Sequence, residues 1–232
     1  MTAANDRVQV FVWSLDVPDV IATPLLSLLS DDERARARRL VKPQDGSRFI
    51  AARAGLRKLL SGVTAYAPRE IAFAYSPFGK PALADDDGLH FNLSHSEGVA
   101  VLAITRRAPV GIDLELNKPF AAGMEEQFLA SSELELLEGL TPDARNVRLV
   151  KTWAAKEALI KLYGDRQTLR PRDIELSHAP ALEVVKPEAC RGCSLVHIDA
   201  EPGFTCVLAM QARVGLQDVD LHAWSGLLPG PT

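Results

Sequence analysis

The chain repeats itself. Residues 51–73 read AARAGLRKLLSGVTAYAPREIAF and residues 154–176 read AAKEALIKLYGDRQTLRPRDIEL, offset by 103 residues with no gap. Eight of the 23 positions are identical: Ala51/Ala154, Ala52/Ala155, Leu56/Leu159, Lys58/Lys161, Leu59/Leu162, Pro68/Pro171, Arg69/Arg172 and Ile71/Ile174. Each copy reads as a helix, a loop, a Pro and the start of a strand. The flanks echo as well. Leu29-Ser30-Asp31-Asp32-Glu33 precedes the first copy and Leu129-Ala130-Ser131-Ser132-Glu133 the second. Both look like helix starts, with Ser30 and Glu33 forming a capping box and Ser131 or Ser132 capping the second. A duplication constrains architecture before any other feature does. The expected fold class is α+β: two similar α/β subdomains related by a pseudo-two-fold axis, each with helices on an antiparallel or mixed sheet. Their interface is the natural place for a cleft and an active site. Lys118-Pro119 and Gly123 break the pattern. The expected boundary therefore gives an N-terminal subdomain over residues 1–116 and a C-terminal subdomain over residues 117–232.

Composition narrows the class. The chain has 232 residues, 47% hydrophobic and 24% charged, which excludes disorder, collagen-like repeats and coiled coils. A net charge of -4 argues against a general nucleic-acid binder. The longest apolar stretch, Val99 to Ile104, is far below the roughly 20 residues of a membrane span. The N-terminus has no signal-peptide pattern, and the odd set Cys190, Cys193 and Cys206 fits a reducing cytoplasm. Cys190 and Cys193 form a CxxC. Only His197 and Cys206 lie near enough to complete a zinc site, so the cysteines read as structural.

Val110-Gly111-Ile112-Asp113-Leu114-Glu115 alternates apolar and polar residues, as a half-buried strand does. Asp113 and Glu115 then share a face, about 7 Å apart at a rise of ~3.3 Å per residue. Gly111, on the same face, leaves room for a ligand to approach the backbone. Two such carboxylates can seat Mg²⁺, which takes one or two carboxylates, keeps waters and shares the rest of its shell with phosphates. Alone, an Asp-x-Glu more often marks the solvated face of an edge strand. In the second repeat copy Glu157 and Lys161 sit four apart on one helical face. They read either as a surface ion pair of ~0.3–0.5 kcal/mol or, among Trp153, Ala154, Ala155 and Ala158, as part of a cleft wall.

The first half supplies cations. Arg34, Arg36, Arg38, Arg39, Lys42, Arg48, Arg53, Arg57 and Lys58 crowd one region, and Arg48 and Arg53 are best placed for phosphate. Lys80 sits in a Gly-Lys-Pro loop. Ser94 and His95 end a strand before the Glu97-Gly98 turn, at a possible cleft mouth. No P-loop or GxGxxG motif is present.

Together the four motifs Gly79-Lys80-Pro81, Phe91-Asn92-Leu93-Ser94-His95-Ser96, Val110–Glu115 and Trp153–Lys161 resemble the 4'-phosphopantetheinyl transferase superfamily, of the two-half, surfactin-synthetase-activating (Sfp) type. The resemblance covers about Ser30 to Leu176. It implies that Asp113, Glu115 and Glu157 hold Mg²⁺ at the pyrophosphate of coenzyme A. Glu157 would double as the base, and Lys161 would stabilise or protonate departing 3',5'-ADP. Lys80, Ser94, His95 and Lys156 would lie at the nucleotide phosphates, with Arg48 and Arg53 near the 3'-phosphate. The chain departs from the family pattern at Ala154, where many relatives have Ser, Thr or Cys. It also departs at Gly164-Asp165-Arg166, which lacks a second Gly.

The implied activity is Mg²⁺-dependent transfer of the 4'-phosphopantetheine arm of coenzyme A to a serine of an apo acyl or peptidyl carrier protein. The expected setting is a cytoplasmic monomer with no nucleic-acid or membrane partner. Phe120, Met124, Phe128 and Leu129 are expected either to form part of the carrier-binding surface or to belong to the core. The competing readings are a metal-dependent phosphohydrolase acting on coenzyme A or a nucleotide, and a non-catalytic coenzyme A-binding protein.

Overall fold

The computed structural model describes residues 7–85, 88–164, 167, 169–178 and 182–228. Its first half runs β1 (Val8–Ser14), α1 (Asp19–Leu25), α2 (Asp31–Arg39), α3 (Pro43–Ser61), β2 (Phe73–Tyr75), β3 (Pro81–Leu83), β4 (His90–Ser96) and β5 (Val99–Thr105). The second runs β6 (Val110–Leu116), α4 (Glu125–Phe128), α5 (Ser131–Glu135), α6 (Pro142–Tyr163), β7 (Glu175–Ser177), β8 (Glu183–Lys186), β9 (Ser194–Ile198) and β10 (Phe204–Met210). A last strand, β11 (Val219–Ala223), follows.

The duplication shows in this order. The long helices α3 and α6 each begin with Pro, whose missing N–H is unneeded in the first turn. The repeated Pro-Arg-(Glu/Asp)-Ile segments form single 3₁₀ turns at Pro68–Glu70 and Pro171–Asp173. Each 3₁₀ turn leads into a small hairpin, β2–β3 or β7–β8.

Two sheets carry the fold, in the orders β11-β1-β5-β4 and β6-β10-β9. Val10 and Val101 of the first sheet pack against Ile112 and Leu208 of the second in one core. Leu56 and Leu60 of α3 cover the outer face of the first sheet, against Trp13 and Leu102. Ala155 and Leu159 of α6 cover the second, against Val207 and Ala209. The layers therefore run helix, sheet, sheet, helix.

The acidic strand falls on the other side of the boundary from the one expected. β6 pairs antiparallel with β10 along its whole length, from Val110↔Met210 to Leu116↔Phe204. It opens the second half as β1 opens the first. β11 returns to pair parallel with β1, Val8↔Val219, so the C-terminal strand completes the first sheet. A division at 116/117 thus cuts a strand from its own sheet. Alternation reveals which faces of a strand are buried, but not which strand lies beside it.

β4 and β6 join the sheets without a backbone ladder. Alternate side chains on β4 accept from alternate β6 amides: Asn92 Oδ1 from Ile112 N (2.8 Å), Ser94 Oγ from Leu114 N (3.3 Å) and Ser96 Oγ from Leu116 N (3.2 Å). The period-2 spacing of a strand face makes this seam possible.

The apolar segment after β6 belongs mostly to the core. Phe128 and Leu129 are buried with Leu137 and Leu149, and Phe120 packs on them, whereas Met124 is exposed. The second helix start also differs in detail: Ala130, not Ser131 or Ser132, stands at the N-cap of α5.

Candidate active site

Helix α6 lies directly on β6 because Gly111 has no side chain. A Cβ there would fall 2.1 Å from the Ala158 carbonyl oxygen and 2.4 Å from the Leu162 nitrogen. The glycine was expected to admit a ligand; it admits the helix instead. The close approach brings Glu157 and Lys161 of α6 onto the face of β6 that carries Asp113 and Glu115.

Asp113 is the centre of the cluster and is 3% exposed. Its Oδ1 accepts from Lys161 Nζ (2.5 Å) and from Ser94 Oγ (3.0 Å). Lys161 Nζ also donates to Ser94 Oγ (2.7 Å). Ser94 thus spends its one proton on Asp113 and both lone pairs on Lys161 and the Leu114 amide. Asp113 Oδ2 is buried and has no hydrogen-bond partner among the described residues. Burial pushes the Asp113 carboxyl above the usual range, against the pull of Lys161.

Glu115 is half-buried. Its Oε1 accepts from the Trp153 indole N–H at 2.6 Å. Burial and then the Asp113 charge raise its pKa, and Glu157 adds to that repulsion. Glu157 itself is 3% exposed. The three carboxylates gather at one place but do not form a closed cage. Among the described residues no group of three or more His, Cys, Asp or Glu side chains is arranged to hold a metal. Lys161 lies on one oxygen of Asp113 and Trp153 on one of Glu115, so each of these carboxylates keeps its second oxygen.

Several residues expected at the phosphates are otherwise engaged. Arg53 is buried, forms an ion pair with Glu33, and lies over the Phe73 ring. Lys156 is 0% exposed and donates to Glu133 Oε2 (2.5 Å) and the Phe128 carbonyl (2.8 Å). These are the same device in the two halves. Glu33 accepts from the Ser30 amide and Glu133 from the Ala130 amide, each closing its own helix start. Arg53 and Lys156 occupy equivalent repeat positions and answer those carboxylates. Both cations are thereby paired with buried carboxylates, as a buried charge requires.

Lys80 is also committed. Its Nζ donates to the carbonyls of Val110 (3.0 Å) and Leu162 (2.9 Å), tying the loop to β6 and to the end of α6. Burial pushes its pKa down to about 8. Ser94, with every hydrogen-bonding position filled, orients Asp113 and Lys161 and has nothing left for a phosphate.

Arg48 and His95 do come together. They line a cavity of about 360 Å³ with Arg36, Asp45, Phe49 and Glu97. Arg48 is held by both oxygens of Asp16 (2.7 and 3.1 Å), which leaves it fixed beside His95. Burial, then Lys161 and Arg48, keep the His95 pKa below its usual value. A smaller cavity of about 190 Å³ lies beside Asn92 and Leu93, bounded by the Gly79-Lys80-Pro81 loop and Lys161. The two cavities flank Ser94 along β4. The sequence had not singled out Arg36, Asn92 or the indole of Trp153 for these places. Asp165 and Arg166, where the family pattern breaks, lie outside the described residues.

A doubled fold with carboxylates, a lysine and an arginine–histidine pair converging at its seam is suited to handling a phosphate ester. Comparison with known proteins agrees. A family model described as 4'-phosphopantetheinyl transferase superfamily matches residues 109–201, and one described as 4'-phosphopantetheinyl transferase, N-terminal, matches residues 20–107. Their junction falls just before β6. The chain is 34% identical over 215 residues to the 4'-phosphopantetheinyl transferase HetI of Nostoc sp., covering 90% of this chain and 89% of the relative. It is 27% identical over 207 residues to the 4'-phosphopantetheinyl transferase ffp of Bacillus subtilis, covering 88% and 92%. With the transferase Sfp of Bacillus subtilis strain 168 it shares 25% identity over 206 residues, covering 88% and 91%. The chain belongs to the 4'-phosphopantetheinyl transferase superfamily and is of the Sfp type. The phosphohydrolase alternative finds no support in these comparisons.

Proposed function

We propose that the enzyme transfers the 4'-phosphopantetheine arm of coenzyme A, the family's substrate, to a serine hydroxyl of an apo acyl or peptidyl carrier protein. The observation that carries the site assignment is the orphaned, buried Oδ2 of Asp113 beside Glu115. A buried carboxylate oxygen without a donor calls for a cation, and two carboxylates suffice for Mg²⁺ when waters and substrate phosphates complete its shell. Asp113 and Glu115 would hold the ion, with Glu157 next to them. Once bound, the ion supplies Lewis-acid neutralisation of the pyrophosphate.

The chain's own residues do the rest. Lys161, tied to the seam by direct hydrogen bonds to Ser94 and Asp113, meets the charge that collects on departing 3',5'-ADP. Glu157 takes the serine proton, a step typically worth about 10²–10⁴-fold. Arg48 and His95 position the nucleotide phosphate in their cavity. Such transfer relies mostly on positioning and charge neutralisation, which a rigid seam between two sheets supplies.

No helix among the described residues is long and apolar enough to cross a membrane. A cytoplasmic monomer is the setting we infer, in keeping with three cysteines that are all free. The experiment is incubation with coenzyme A, Mg²⁺ and purified apo-carriers, following 3',5'-ADP and carrier mass together. The proposal expects both products in equal amounts. Release of 3',5'-ADP with no change in any carrier would contradict it.

A further inference from the structure

A further cavity, outside the active site, carries the chemistry of an anion site. It measures about 430 Å³ and is lined by Arg148, Lys151, His178 and His197 together with apolar residues. Among the described residues no carboxylate lines it. Arg148 lies on the opposite side of α6 from Glu157, given 100° of rotation per residue. His197 Nδ1 lies 3.6 Å from Asp199, whose side chain is almost fully exposed.

The duplication gives this cavity a counterpart. Lys151 stands 103 residues after Arg48, and Arg148 103 residues after Asp45. Arg48 and Asp45 both line the cavity that holds His95. In each half the same two helix positions and a histidine from the sheet, His95 on β4 or His197 on β9, enclose a pocket. The first contains Asp45 and Glu97; the second has Arg148 in place of Asp45 and, among the described residues, no acid, so its positive charge is less compensated.

We propose that this cavity binds the phosphate group of a small molecule, through the Arg148 guanidinium and the Lys151 ammonium with His178 and His197 beside them. Arg offers two parallel donors to a phosphate and Lys a point charge. The polar wall is ordered. The Thr152 hydroxyl donates to the Arg148 carbonyl (2.8 Å), so it accepts from His178 Nε2 (3.0 Å), which carries the ring proton. Burial and then the neighbouring cations Arg148, Lys156 and Lys151 push the His178 pKa down to about 4, as a site with surplus positive charge requires. This inference goes beyond the transfer reaction and stands whether or not that reading holds.

The test is NMR of the histidine ring nitrogens in the full chain, titrated with inorganic phosphate and separately with 3',5'-ADP at constant ionic strength in chloride. His178→Gln and His197→Gln assign the signals. Saturable shifts of both rings are expected, and Arg148→Ala/Lys151→Ala should weaken the saturation about tenfold or more. The double variant should keep the parent's circular dichroism spectrum and unfolding midpoint, which shows that it is folded. Tighter saturation by 3',5'-ADP marks a nucleotide as the ligand, and equal saturation marks phosphate alone; both support the site. Shifts no larger than in matched chloride, or saturation unchanged in the double variant, overturn it.

Discussion

The carbonyl oxygen of Ala158 sits 2.1 Å from where a Cβ on Gly111 would be. That contact sets the spacing of α6 over β6, and with it the reach of Lys161 to Asp113. A backbone atom cannot swing aside as a flexible side chain can. Gly111→Ala should therefore cost about 1–3 kcal/mol of stability through overpacking and should lower turnover by displacing Lys161. Denaturant unfolding and transfer kinetics check it; a variant as stable and active as the parent would show the helix free to shift.

Lys156 separates a structural role from a catalytic one. Removing it leaves Glu133 charged and buried among α5, α6 and the Leu176 amide. Lys156→Ala should cost about 3–5 kcal/mol. A paired Lys156→Met/Glu133→Gln change should recover most of that stability together with near-normal KM for coenzyme A. A phosphate-binding lysine would instead leave KM high in the pair.

Arg48 carries the opposite expectation. Its partner Asp16 is exposed and can be solvated once the arginine is gone. Arg48→Ala should raise KM for coenzyme A about tenfold, the loss of one charge-assisted phosphate contact, with little change in unfolding. Unchanged KM would remove the Arg48–His95 cavity from the substrate path.

Acid stability reports on Glu33. Burial works to raise its pKa, but Arg53 and Arg57 outweigh it and hold the carboxyl below its ordinary 4.5. A depressed folded-state pKa adds stability that is full above the unfolded value and fades as pH falls through the folded one. The parent should lose stability as pH drops below about 4.5, more steeply than Glu33→Gln, which has no such proton to take up. Parallel acid unfolding curves would contradict this.

The indole of Trp153 fixes one oxygen of Glu115, as a second layer of contacts fixes metal ligands elsewhere. Trp153→Phe keeps the ring contact with Phe128 and loses the hydrogen bond. It should raise the Mg²⁺ concentration for half-maximal activity by about 10–100-fold. An unchanged Mg²⁺ dependence would mean that Glu115 needs no such support.

Much of this was legible in the sequence, and the repeat explains why. It gave the doubled architecture and the two long helices, because helix period, Pro punctuation and strand alternation are local signals. Motif resemblance drew Asp113, Glu115, Glu157 and Lys161 into one expected site, with the carboxylates for the metal and Lys161 for the departing 3',5'-ADP. Strand partners were not legible, so β6 was assigned to the wrong half and β11 went unplaced. The engagement of Arg53, Lys156 and Lys80 was hidden for a related reason. Cation type shows that a residue can meet a phosphate; only the folded chain shows that a buried Glu or a pair of carbonyls meets it first. One signal had been available. Glu33 and Glu133 echo each other as Arg53 and Lys156 do, and a repeated acid with a repeated base is what a buried ion pair leaves behind in a duplicated chain.

The central claim is that Asp113 and Glu115 seat the divalent ion through which this enzyme moves phosphopantetheine onto a carrier serine. Mass spectrometry of an apo-carrier after incubation with coenzyme A tests it most directly, using the parent enzyme with Mg²⁺, the parent with a chelator, and Asp113→Asn with Mg²⁺. The account predicts addition of the phosphopantetheine arm in the first reaction and none in the other two, with Asp113→Asn still folded. Full modification under chelation, or by Asp113→Asn, would contradict it.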